Sequence, residues 1–181
     1  MRKGIEPRSH RVDGVWGNVA RPCQHDRVTS YRDWPVPVRL LASAVDDAVT
    51  AAAASDADGF AEALGRLVRV DREPLASVLG DLAGALLERA YPDGLDAADA
   101  GELLRRCTVR FAWCPALDED ALLRALAGTL GVSLEEDGAP VLAVLPNGLL
   151  LVAELLGGRP VAPVLEAALR ELHRRQTVEL P

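Results

Sequence analysis

From Pro35 onward, apolar residues recur at intervals of three and four. Leu41, Ala44, Val45, Ala48, Val49 and Ala52 make one such stripe, with Arg39, Asp46, Asp47 and Thr50 mostly outside it, and this predicts an amphipathic helix from about Val36 to Ala54. Ser55-Asp56-Ala57-Asp58 then has the composition of an N-terminal capping segment for a second helix carrying Phe60, Leu64, Leu67 and Val68. After Asp71 and Pro74, Leu75, Val78, Leu79, Leu82, Leu86 and Ala90 keep helical spacing until Tyr91-Pro92-Asp93-Gly94 ends the run. A fourth helix is expected from Asp96 to about Ala112, with Ala100, Leu104, Cys107 and Phe111 on one face. Asp118-Glu119-Asp120 places negative charge at the start of a fifth, through Leu122, Leu126 and Leu130. A last helix follows Pro160 or Pro163, with Val164, Leu165, Ala168, Leu169 and Leu172 inward and the pairs Glu166–Arg170 and Glu171–Arg175 on its surface.

Between the fifth and last helices two readings stay open. Residues 139–146, Asn147-Gly148 and residues 149–156 form two apolar runs around a strong hairpin signal, so a short hairpin near residues 141–155 is one reading. The second run is Leu-rich, apolar on every side, and closed by Gly157-Gly158 in the manner of a helix C-cap. We therefore favour two short buried helices. The fold expected is all-α: one helical bundle of about six to eight helices.

Residues 1–33 show neither helical nor alternating periodicity. They are expected to form an irregular basic arm, with residues 34–181 as the helical domain. Met1 to Trp34 carries seven basic and four acidic residues, hence +3, which leaves −10 of the overall −7 for the remainder. An acidic body is a poor surface for nucleic-acid phosphates. Apolar residues make up 49% of the chain but aromatic ones only 4%, so aliphatic side chains must fill the core. Nineteen arginines to a single lysine, Lys3, together with abundant Ala, Gly and Val, indicate a GC-rich bacterial source. Three cysteines are too few for a disulfide framework, and no apolar run reaches membrane-spanning length, so a cytoplasmic location without membrane attachment is expected.

Candidate chemistry is sparse. His10, Cys23 and His25 lie together in the arm, but a structural zinc site needs paired short spacings and only Cys23-Gln24-His25 supplies one. Cys107 lies on an apolar stripe and reads as a buried thiol, whereas Cys114 beside Trp113 is expected to be more exposed. His173 complements the dipole near the end of the last helix. No cofactor-binding loop is visible and none is expected. Most carboxylates fall at helix starts or on polar faces. Glu154 is the exception: within its apolar run it must face solvent, pair with an arginine such as Arg159, or serve as the polar anchor of a ligand site. Ala76, Gly80 and Gly84 form a small-residue stripe along the third helix, where a neighbouring backbone or a partner can approach closely.

Leu126-Ala127-Gly128-Thr129-Leu130-Gly131-Val132-Ser133 resembles the turn of helix-turn-helix DNA-binding proteins, in which L-A-x-x-L-G-V-S is frequent. The resemblance covers eight residues and implies a recognition helix after it. This chain continues Leu134-Glu135-Glu136-Asp137-Gly138, and acids there repel phosphates.

The residues thus point first to a non-enzymatic helical module, regulatory or protein-binding, whose partner is another protein or a second copy of itself. A small-molecule binder or enzyme with an inter-helix pocket anchored on Glu154 is the alternative, and a DNA-associated regulator the third reading.

Overall fold

The computed structural model describes residues 31–132 and 141–178, and among these the chain is all-helical, with seven helices and no strand. These are α1 (Val36–Ala53), α2 (Ala57–Leu67), α3 (Arg72–Ala90), α4 (Ala97–Arg110), α5 (Glu119–Thr129), α6 (Val141–Leu156) and α7 (Ala162–Val178). Three of the starts are set by aspartates. The side chains of Asp56, Asp96 and Asp118 accept hydrogen bonds from the backbone N–H of Gly59, Asp99 and Ala121 at 3.0, 2.8 and 2.7 Å, each satisfying an amide that its helix leaves without a partner. Pro37 and Pro163 occupy first turns, where a missing N–H costs nothing.

The core is one cluster in which α6 is the central element, packed by α1, α3 and α5 and touched by α4. Leu149 to Val152 are each 0% exposed, so four consecutive side chains pointing in four directions all meet protein. That all-round burial explains why residues 141–156 form a single helix and neither of the arrangements expected. A hairpin would bury two strand edges with unpaired amides, whereas a helix satisfies its backbone within itself. Asn147-Gly148 makes no turn: Gly148 lacks the positive φ of a hairpin glycine, and Asn147 is fully buried in mid-helix. The helix also runs through Pro146, at the cost of one backbone hydrogen bond. Its end matches the sequence signal. Gly157 and Gly158 turn at φ +57° and +84°, and Arg159 donates from Nε and Nη2 to the terminal carbonyls of Leu156 and Leu155 at 2.8 and 3.1 Å.

Tyr31, which the sequence places in the arm, is 1% exposed and packs in the core cluster. The fourth helix stops at Arg110, after which the N–H of Cys114 bonds to the Phe111 carbonyl at 2.8 Å and that of Leu117 to the Cys114 carbonyl at 3.1 Å. Cys107 and Cys114 therefore do not share a continuous helix. Among the described residues no helix is long and apolar enough to cross a membrane.

Candidate functional site

Glu154 sits on the central helix with its side chain only 12% exposed, and it pairs with α4, not with Arg159. Arg106 Nε donates to its Oε1 and Arg110 Nη1 to its Oε2, both at 3.0 Å, so two guanidiniums share one carboxylate. Arg106 also donates from Nη2 to the Tyr91 hydroxyl at 3.2 Å, and the Arg110 guanidinium stands 5.3 Å from the centre of the Phe111 ring. The Tyr91 hydroxyl and then Glu154 favour the charged form of Arg106 against the cost of its partial burial. Next along α4, Glu102 takes two bonds from Arg105, at 2.8 and 2.7 Å. Sequence spacing alone could not find this cluster, because Glu154 lies 48 and 44 positions from its two partners.

Cys107, between the two arginines in sequence, is fully buried; burial and then the Glu154 charge push its thiol up to about 12. A thiol held that far from ionisation is a packing group. Cys114 is also buried, at 6% exposure, contrary to expectation, because the turn after Phe111 folds it inward. His173 lies more than a turn before the end of α7, and its ring meets Trp34 edge-on, with centroids 6.1 Å apart. Burial, and after it the charge of Asp46, raises the Tyr31 hydroxyl above the ordinary phenol range.

Gly80 and Gly84 do not receive a neighbouring backbone. A Cβ built at either would meet no atom within 4 Å, so among the described residues nothing packs against these two glycines. Two grooves meet there. One, of about 340 Å³, runs between α3, α5 and α6 with walls of Leu75, Leu79, Leu145 and Leu151. The other, of about 590 Å³, runs between α3 and α7 and carries Asp81, Glu88, Glu171, Arg174 and Arg175. Both include Gly80, Gly128 and Thr129, so they form one trough that is apolar at the Ala76 end and charged at the Glu88 end. Along α3 the twelve-residue step from Ala76 to Glu88 is about 18 Å. At its charged end, Arg175 Nη2 stands 3.2 Å from Asp81 Oδ1, while Asp81 Oδ2 is buried without a hydrogen-bond partner. Glu154 lines neither groove.

The metal-like trio His10, Cys23 and His25 lies outside the described residues, as do Ser133 to Gly138, where the helix-turn-helix resemblance would place the start of a recognition helix. Among the described residues no three His, Cys, Asp or Glu side chains are grouped as metal ligands. Comparisons of the chain with protein-family models, with curated proteins and with solved structures find no match.

Proposed function

We propose that this chain is a non-catalytic helical module that binds another protein, and that the trough along α3 receives an amphipathic helix of that partner. The observation that carries the reading is the trough itself: glycines at Gly80, Gly84 and Gly128 with open space where side chains would stand, between an apolar and a charged section. Helix-interior glycines cost about 1 kcal/mol each relative to alanine, a cost that no contact among the described residues offsets. A visiting helix laid directly on the α3 backbone would offset it. The leucine walls fit the apolar face of the visitor, and the charged section with Glu88, Glu171 and Arg174 fits its polar residues. Several titratable groups elsewhere in the body serve as helix caps or in surface pairs.

The test begins with isolation of the protein from its native source and identification of what accompanies it, followed by affinity measurement with the purified partner. Gly80→Leu should fold normally and lose at least tenfold in affinity by filling the trough, while Asp81→Asn should lose less. A partner whose affinity is unchanged by Gly80→Leu, or a chain that remains monomeric and accompanied by nothing, refutes the proposal.

A further inference from the structure

We propose a second site, where α4 meets the central helix: the cluster of Arg106, Arg110 and Tyr91 binds a phosphate group, with Glu154 as the positioning residue. Arg105, Arg106 and Arg110 face Glu102 and Glu154, which leaves one uncompensated positive charge, and Arg105 is the guanidinium that Glu102 holds by two bonds. The excess therefore lies on the Arg106–Arg110 pair, within a body of net charge −10. Two arginines around one carboxylate are more than the carboxylate requires.

The two guanidiniums also have donors to spare. Each guanidinium has five N–H bonds. Arg106 uses Nε and Nη2 on Glu154 and Tyr91, and Arg110 uses Nη1 on Glu154, which leaves Arg106 Nη1 and Arg110 Nε and Nη2 without partners among the described residues. The Tyr91 hydroxyl accepts from Arg106 and keeps its own hydrogen to donate. The side chains of Arg106 and Arg110 are 41% and 34% exposed, so solvent reaches them, whereas Glu154 at 12% stays behind them. Because the carboxylate and the phenol already fix the guanidiniums, little rotamer freedom remains to be lost when an anion binds.

A carboxylate has two oxygens, enough for the two arginines alone. A phosphate monoester offers three terminal oxygens and up to two charges, so that Arg106, Arg110 and Tyr91 can all donate to it at once. The proposal is independent of the α3 trough, since none of its residues lines that groove.

The experiment is calorimetric titration of the full chain at constant ionic strength with inorganic phosphate, phenyl phosphate and acetate. Saturable binding of both phosphates, with acetate at least about tenfold weaker, supports the site. Phenyl phosphate binding more tightly than inorganic phosphate assigns it to esterified phosphate, and the reverse to the free ion. Arg110→Gln should weaken binding by about tenfold or more, while Arg69→Gln, an exposed arginine outside the cluster, should leave it unchanged. Tyr91→Phe keeps both ion pairs, and thus the fold, and should weaken binding about three- to fivefold. Absence of saturable phosphate binding, equal affinity for acetate, or equal loss in Arg69→Gln overturns the proposal.

Discussion

Replacing Gly80 and Gly84 together by alanine should stabilise this protein. Both glycines are interior to α3, which runs from Arg72 to Ala90, and both have helical backbone angles. An alanine there removes the excess conformational freedom of the unfolded chain, worth about 0.8–1 kcal/mol per site, provided its methyl group meets nothing. Among the described residues it meets nothing: no heavy atom of another side chain or element lies within 4 Å of either Cβ position. The two methyls stand one turn apart without sharing a partner, so their effects should add to about 2 kcal/mol. For a domain of about this size each kcal/mol moves the melting temperature by about 2–4 °C, giving an expected rise of about 4–8 °C. Differential scanning calorimetry or circular dichroism at a fixed scan rate measures it.

Gly59 is the matched control. A Cβ there would stand 2.6 Å from Asp56 Oδ2, the carboxylate that caps α2, so Gly59→Ala should lose through the cap about what it gains in helix propensity and leave the melting temperature nearly unchanged. If the double alanine variant melts at or below the wild-type temperature, the stripe is packed within the chain and the trough is not open. If it melts higher and still binds its partner undiminished, the trough is open but is not where the partner sits.

Other expectations follow from buried polar contacts. Asn147→Ala removes the acceptor of the Asp118 N–H at 3.0 Å and the donor to the Ala116 carbonyl at 3.1 Å, and should cost about 2–3 kcal/mol in urea unfolding. A loss below about 0.5 kcal/mol would mean that water replaces both bonds. Glu154→Gln keeps the shape but not the charge and should cost about 1–2 kcal/mol, a modest figure because both arginines are about a third or more exposed and can rehydrate. Cys107 has a folded-state value near 12 against an ordinary 9.0, so the unfolded chain loses its proton first. Stability from this source is therefore complete below about pH 9 and falls as pH rises toward 12, a decline that Cys107→Ala should reduce. A pH-independent urea midpoint between pH 8 and 11 would contradict it. Native protein should also resist thiol alkylation at both Cys107 and Cys114 until it is unfolded.

The helices were legible in the sequence where local chemistry decides them. Asp56, Asp96 and Asp118 could be read as caps because a cap is a contact over three residues, and Gly157-Gly158 could be read as a stop because positive φ belongs to glycine. The segment 141–156 could not. Pro146 and Asn147-Gly148 are local signals for interruption, and the burial that overrides them comes from α1, α3 and α5, elements far away in the chain. Glu154 stood out as an anomaly from composition alone, yet its arginine partners came from α4, while Arg159, close in sequence, was already committed to the helix end. The stripe at Ala76, Gly80 and Gly84 was visible, but whether it faced a neighbour or open space depended on how far α5, α6 and α7 stand from it.

The central helix carries two polar residues in its described part, Asn147 and Glu154, and their placement shows how an otherwise apolar element acquires a unique register. Seven positions apart, they fall on one face of the helix, about 10 Å from each other. Both point toward the same stretch of chain: Glu154 to Arg106 and Arg110 at the end of α4, Asn147 to the backbone of Ala116 and Asp118 just before α5. Aliphatic contacts alone tolerate rotation or sliding by small amounts, since one leucine surface resembles another. Two buried polar groups that find partners in a single alignment do not, because any slip leaves them unsatisfied at a cost of about 1–3 kcal/mol each. The α3 and α1 sides of the helix are held by apolar packing, and the α4–α5 side by this two-point polar lock. That division leaves α3 free of polar obligations to the core, so its outer face can be given over to glycine, while the arginines that complete the lock present their remaining donors to solvent along α4.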